Sequence, residues 1–311
     1  MFKNKDYILT IYKEGSFTKA AEKLFISQPS LSASVKRIEE KLGAPIFDRS
    51  MSPIALTEIG REYVRCAMDI EEREADFTRF VSDNTTLKSG KIRIGGSSFF
   101  SSFVLPSLIA EFKREYESIT FEIFEDSTKD LLQKLHLGEV DIVIDNKMVT
   151  DEGIAAEKYI TEKLLLAVPK QMVVGTELEA LGATAEEVKC DAHLAKGAAP
   201  LTAFGDMPFI LLHSENDTGK RADKLFKKHG ITPSVLFRLD QQVTAYNIST
   251  SGLGISFVSD TLVKRSDASH DLYYYNIDDT LAERSICFYR KESRYQPIAC
   301  RKFVEFHTGR G

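Results

Sequence analysis

The chain has no tryptophan, only four cysteines and six histidines in 311 residues, and no apolar run near the length that crosses a bilayer, about 18 residues or more. Cys66, Cys190, Cys287 and Cys300 stand far apart, without C-x-x-C or mixed Cys/His spacing, so neither a zinc motif nor a disulfide framework is expected and the thiols read as reduced. His136, His193, His213, His229, His270 and His307 form no H-x-E or H-E-x-x-H pattern, so no metal ligand set is read from them. Phosphate-cradling loops of the G-x-G-x-x-G or G-x-x-x-x-G-K-[ST] kind are missing, as is a G-x-S-x-G elbow. His213, Ser214 and Asp217 come closest to a catalytic cluster, but near-neighbours in sequence do not make a triad. The expectation is a protein that is not an enzyme and needs no cofactor. The start, MFKNKDYILTIYKEG, has charges through its apolar part and no small-residue cleavage site, so a signal peptide is not expected and a cytoplasmic location is.

A basic excess is missing too. The 41 Lys/Arg and 46 Asp/Glu leave a net charge of −5, but the charge is unevenly placed. Residues 1–55 hold nine basic against six acidic residues, residues 57–90 five against eight, and the remainder is acidic. A basic head on an acidic body fits DNA binding through the head alone, weakening with salt.

That head contains the stretch the chain is organised around, Ser16 to Gly43. Ser16 is placed to cap a helix whose Ala20, Ala21 and Leu24 share one face. Ser27 offers a second cap with Pro29 just inside it, and Leu31, Val35, Ile38 and Leu42 repeat at helical spacing up to Gly43. The opposite face carries Gln28, Ser30, Ser32, Ser34, Lys36 and Arg37. Serines are poor helix formers, so this row asks for a role outside the fold. Short hydroxyls and first-turn N–H groups can reach phosphates, and Gln28 can reach a base edge. Phe2, Tyr7, Ile8, Ile11 and Tyr12 give a supporting first helix.

The run AAEKLFISQPSLS, followed by IEEKLG, PIFDR and ALTEIG, resembles the N-terminal winged helix-turn-helix of the LysR-type transcriptional regulators. The resemblance implies a wing over APIFDRSMSPIALT, sealed by Ile46, Phe47 and Leu56, with Arg49 on the DNA backbone or minor groove. The implied DNA-binding set is Thr18, Lys19, Ser27, Gln28, Pro29, Ser30, Ser32, Ser34, Lys36, Arg37 and Arg49. The chain departs from many relatives at Ala33, Ser50, Met51 and Ser52, where they place basic residues, which weakens the grip expected of one head.

From Leu56 a heptad seam runs through Leu56, Tyr63, Ile70 and Phe77 at one position and Ile59, Cys66, Arg73 and Phe80 at the other. All but Arg73 are apolar or Cys, as a dimerising helix requires. DNTTLKSG, Asp83 to Gly90, reads as a hinge. Strands then alternate with helices: KIRIG, a helix over Val104–Tyr116, ITFEIFE, a helix over Thr128–Leu137 and VDIVID form a β-α-β-α-β run with a parallel sheet. A second lobe starts at KLLLAVP, and LYYYNI, SICFYR and a final helix are expected to return to the first. The fold class is α/β: an N-terminal winged helix-turn-helix, a long linker helix and a two-lobed domain resembling the periplasmic-binding-protein (type 2) fold that this family uses to sense ligands. The expected division is residues 1–56 for DNA binding, 57–90 for the linker and hinge, and 91–311 for the effector domain. Within it, lobe I covers about 91–161 and 269–311, and lobe II about 162–268. Residues 171–206 are longer than the usual connection, hold a helix over ELEALGATAEEV, and suggest no function.

Ligands of open α/β sheets sit outside the carboxyl ends of strands. That rule selects Ser97, Ser98, Ser101, Ser102, Ser127, Thr128, Asn146, Ser214, Thr218, Gln241 and Thr244 as effector-binding groups around one interlobe cleft. Hydroxyls at helix N-termini suit a small polar metabolite such as a carboxylate. The function expected is a ligand-responsive regulator that binds promoter DNA as a dimer or tetramer. Two alternatives are a cytoplasmic solute-binding protein and a redox-sensing regulator using Cys287 and Cys300.

Overall fold

The computed structural model describes residues 2–50, 53–85, 90–146, 151, 153–267 and 269–309. They belong to two compact units, Met1–Thr85 and Thr86–Gly311.

The first unit holds α1 (Lys5–Glu14), α2 (Phe17–Lys23), α3 (Gln28–Leu42), a wing of β1 (Phe47–Asp48) and β2 (Ala55–Leu56), and α4 (Glu58–Thr85). Each boundary has a local cause. Gly15, at φ +62°, closes α1 by returning its N–H to the Ile11 carbonyl. Ser16 and Ser27 accept the N–H groups of Lys19 and Ser30, starting α2 and α3. Buried Ala20 and Ala21 let α3 approach α2, and Leu31, Val35 and Ile38 pack with Ile8 and Ile11. The Glu39 carboxylate accepts the Ile46 and Phe47 N–H groups at 2.9 and 3.3 Å, which ties the wing to α3. Gly60 lets α4 lie on the wing: a Cβ there would stand 2.0 Å from the Ile46 carbonyl oxygen.

At 28 residues α4 is about 42 Å long. Two residues expected on its seam are used inside the head instead. Leu56 precedes α4, sits on β2 opposite Phe47, and packs against the head core. Tyr63 is 4% exposed and stacks on Phe2 with ring centroids 4.8 Å apart. Tyr63, Val64 and Ala67 complete the core that three short helices cannot close alone. Elsewhere on α4, Ile59, Phe77 and Phe80 are exposed, and Cys66 and Ile70 half-buried. Of the expected hinge, residues up to Thr85 continue the helix and 86–89 lie outside the described residues.

The second unit begins with β3 (Lys91–Gly96), parallel to both β4 (Thr120–Glu125) and β5 (Ile142–Asp145). The crossovers are α5 (Leu105–Lys113), entered through a π-helical turn at Phe100–Val104, and α6 (Thr128–Leu137). The chain continues through β6 (Ile154–Pro169), α7 (Leu178–Leu181), α8 (Ala185–Lys189), β7 (Pro208–Leu212), α9 (Asp217–His229), β8 (Ser234–Leu239), α10 (Gln242–Thr250), β9 (Ile255–Ser259), α11 (Asp260–Arg265), β10 (Leu272–Asn276), β11 (Glu283–Lys291) and α12 (Ile298–Thr308). The sheet order is β4-β3-β5-β11-β6-β9-β7-β8, with β10 also on β6. The sixteen-residue β6 serves both lobes: Ile154–Lys163 pair with β11, and Leu164–Ala167 with β9.

Two expectations are corrected here. LYYYNI does not return to the first lobe: β10 pairs with Leu165–Pro169, beyond the β11 ladder, and Tyr275 packs in the second lobe's core with Phe204. The return is made after Asn276, by β11. ELEALGATAEEV is not one helix. Ala183 forms a β-bridge to Tyr274, and Thr184 and Glu187 make a reciprocal capping box that starts α8 afresh.

Candidate DNA-reading face and effector cleft

In the head, Thr18, Lys19, Ser27, Gln28, Pro29, Ser30, Lys36, Arg37 and Arg49 are exposed, with Ser32 and Ser34 half-buried. The buried stripe of Leu31, Val35 and Ile38 fixes which way α3 faces, and so turns the remainder outward. Gln28 Nε2 donates to Ser32 Oγ at 2.9 Å, and Ser34 Oγ to the Ser30 carbonyl at 2.9 Å. Lys36 stands 3.9 Å from Glu40. Arg49 is held in place: its Nη2 lies 3.1 Å from Glu39 Oε2 and its guanidinium 5.2 Å from the centre of the Phe17 ring. The exposed Lys36–Glu40 pair is worth little in water and exchanges readily for a phosphate.

In the second unit, two of the eleven selected groups, Asn146 and Thr218, join one chain of hydrogen bonds, and several of the others bond locally. Ser98 donates to Glu125 at 2.5 Å, Ser101 to the Gly96 carbonyl, Ser127 to Asp130, and Ser214 to Asp223 at 2.6 Å. Ser97 is half-buried and its carbonyl accepts the Ser101 N–H. Ser102 and Thr244 are exposed, and Gln241 precedes α10 without a side-chain cap. Thr128 donates to Asp145 at 2.7 Å, beside Asn146, whose Nδ2 donates to Glu162 Oε1 at 2.9 Å. The same oxygen accepts Arg284 Nε at 2.6 Å, and Arg284 Nη1 reaches Asp217 at 3.0 Å and Thr218 at 2.9 Å. Arg221 joins from α9, donating to Asp217 and to the carbonyls of Leu281 and Glu283.

This chain ties the first-lobe loop after β5 to the N-terminus of α9 through the two strands that span the lobes. The Glu162 and Arg284 side chains are 0% and 1% exposed. Burial works against the Arg284 charge, but Glu162 and Asp217 outweigh it and push its pKa up. Among the described residues, Glu162 Oε2 and Arg284 Nη2 are buried without a hydrogen-bond partner. Glu162, Asp217, Arg221 and Arg284 were not among the expected residues. A signal existed: in ERSICFYR the alternation puts Arg284 on the inward face with Ile286 and Phe288. Cys287 is half-buried and burial pushes its thiol up, away from a reactive thiolate, while Cys300 is buried.

A winged helix-turn-helix unit with a long helix, and a two-lobed α/β unit built on shared crossover strands, define a ligand-responsive DNA-binding regulator. Residues 3–61 match the family of bacterial regulatory helix-turn-helix proteins, lysR family, and residues 85–310 match the LysR substrate binding domain. The chain belongs to the LysR family of transcriptional regulators. It is 28% identical over 302 residues to the uncharacterized HTH-type transcriptional regulator YcgK of Bacillus subtilis, covering 96% of this chain and 91% of the relative. To the probable RuBisCO transcriptional regulator of Guillardia theta it is 27% identical over 300 residues, covering 94% and 90%. Among solved structures it resembles full-length OxyR of Pseudomonas aeruginosa (TM-score 0.67, 21% identity, 98% and 93% coverage) and CbnR in complex with its target DNA (TM-score 0.62, 19% identity, 100% and 99% coverage). At those identities the structures speak for the fold. Among the described residues no helix is long and apolar enough to cross a membrane.

Proposed function

We propose that this regulator works in the cytoplasm as a dimer, or a dimer of dimers, whose paired heads read promoter DNA with α3 and whose interlobe cleft takes a small anionic metabolite. The DNA-reading set is Thr18, Lys19, Ser27, Gln28, Pro29, Ser30, Ser32, Ser34, Lys36, Arg37 and Arg49. Ile59, Cys66, Ile70, Phe77 and Phe80 supply the dimer face. The observation that carries the ligand reading is the buried chain from Asn146 through Glu162 and Arg284 to Thr218. It couples both lobes, and among the described residues its Arg284 guanidinium keeps an unspent donor, the group best suited to a carboxylate. The ligand acts by population shift, to the extent that it binds one arrangement of the lobes better than another.

The test is fluorescence anisotropy on duplex selected from random sequence by the full chain. Gln28→Ala flattens base preference. Arg37→Ala weakens all sequences alike and lowers the salt slope by about one. Unchanged affinity, preference and slope in both variants would remove α3 from DNA reading.

A further inference from the structure

The inserted segment between β6 and β7 holds a group that the regulator's own chemistry leaves unused. His193 lies on a 3-10 turn, Ala192–Ala195, and is 1% exposed, with both ring nitrogens buried; its nearest backbone partner is Glu187, and among the described residues neither nitrogen makes a hydrogen bond of good geometry. Asp191 precedes it, and Asp260, 5% exposed, faces it from the first turn of α11. One ligand atom from each residue lies within 4.8 Å of the other two. Ligands about 2.0–2.2 Å from a tetrahedral ion stand about 3.3–3.6 Å apart, so the widest pair closes by about 1 Å when an ion binds. The carboxylates are already arranged around a cation: Lys264 Nζ stands 2.6 Å from Asp191 Oδ1 and 2.9 Å from Asp260 Oδ2. The ammonium brings one positive charge to two carboxylates and cannot accept from, or coordinate to, the imidazole.

We propose that Asp191, His193 and Asp260 bind one divalent first-row transition ion, best matched by Zn²⁺, and that the Lys264 ammonium takes its place when the ion is absent. One nitrogen and two carboxylate ligands suit this class, whereas Mg²⁺ and Ca²⁺ take oxygen sets. Burial lowers the His193 pKa, against the opposing pull of Asp260 and the Glu187 backbone, which favours the neutral form that coordinates a metal. Lys264 keeps 29% of its side chain exposed, which gives it a way out.

The site touches the interlobe chain through its neighbours. Asp260 Oδ1 accepts the N–H of Lys163, the residue after Glu162 on β6, at 2.9 Å. Asn276 Nδ2 holds the turn by donating to the His193 and Lys196 carbonyls at 2.6 and 3.1 Å. Leu194 and Lys196 of the same segment line a cavity of about 180 Å³ with Lys163 and Asn276. A bound ion therefore pins the insertion to the strand that joins the lobes.

The experiment is competition of the full chain, stripped with chelator, against a chromogenic zinc indicator, with ions per chain counted by mass spectrometry and Mg²⁺ as the control. One Zn²⁺ per chain is expected. His193→Gln should weaken it at least tenfold, and Lys264→Met should tighten it at least tenfold by removing the competing charge. The Lys264→Met variant keeps the test intact if the buried histidine proves necessary for folding. Equal binding by wild type and a folded His193→Gln, meaning adventitious ions on exposed histidines, would overturn the proposal, as would no binding or no tightening in Lys264→Met.

Discussion

Replacing Arg284 by methionine should be among the most damaging single changes in the effector unit. Glu162 is fully buried, and without Arg284 its carboxylate keeps, among the described residues, the Asn146 amide alone, while Asp217 keeps Arg221. Removing one partner of a buried ion pair costs about 3–5 kcal/mol because the other charge stays desolvated. With a urea m-value of about 2–3 kcal/mol/M, that lowers the unfolding midpoint by about 1–2 M. The paired change Arg284→Met with Glu162→Leu removes both charges and should recover most of the loss, because apolar replacement of a whole buried pair is often neutral. The chain has no tryptophan, so unfolding is followed by far-UV circular dichroism, with the two units' transitions fitted separately. A single variant within about 1 kcal/mol of wild type, or a double variant worse than the single, would refute the coupling read from these contacts.

Gly60→Ala should destabilise the head by about 1–3 kcal/mol or more, since its Cβ meets the backbone oxygen of Ile46 rather than a side chain that can move. Calorimetry of the head transition checks this, and an unchanged midpoint would mean that α4 shifts freely on the wing. Burial keeps the His193 pKa below its ordinary 6.5, so the unfolded chain takes up its proton first. In chelator-treated protein, stability conferred by the neutral ring is complete above about pH 6.5 and is lost as the pH falls below it. This part of the pH profile should vanish in His193→Gln; an identical profile in that variant would contradict the assignment.

The head was largely legible because its boundaries are set by local chemistry. Ser16, Ser27, Pro29 and Gly43 act within one turn of where they stand, and the stripe from Leu31 to Ile38 leaves only one face for Gln28 and Arg37. Long-range pairing was harder to read. LYYYNI has the pattern of a strand, but which part of β6 it joins depends on register over a hundred residues away. The break in ELEALGATAEEV was marked by the T-x-x-E of Thr184 and Glu187, yet its cause, the bridge from Ala183 to Tyr274, is tertiary. Loop hydroxyls are a poor guide to the cleft, because Ser98, Ser101, Ser127 and Ser214 bond to their own neighbourhoods. The groups that link the lobes, Glu162 and Arg284, lie on strands and meet only because β6 and β11 pair across 122 residues of sequence.

Two heads held together by α4 are what this account most depends on, and Phe77 gives the cleanest way to separate them. At 68% exposure, its replacement by lysine removes little from the protomer's own core. The decisive measurement is analytical ultracentrifugation of wild type and Phe77→Lys, alone and with the selected duplex. The account predicts a wild-type dimer or larger assembly that binds DNA, and a folded Phe77→Lys that shifts toward monomer and loses affinity at least tenfold. A folded Phe77→Lys that remains dimeric and binds as tightly as wild type would contradict it.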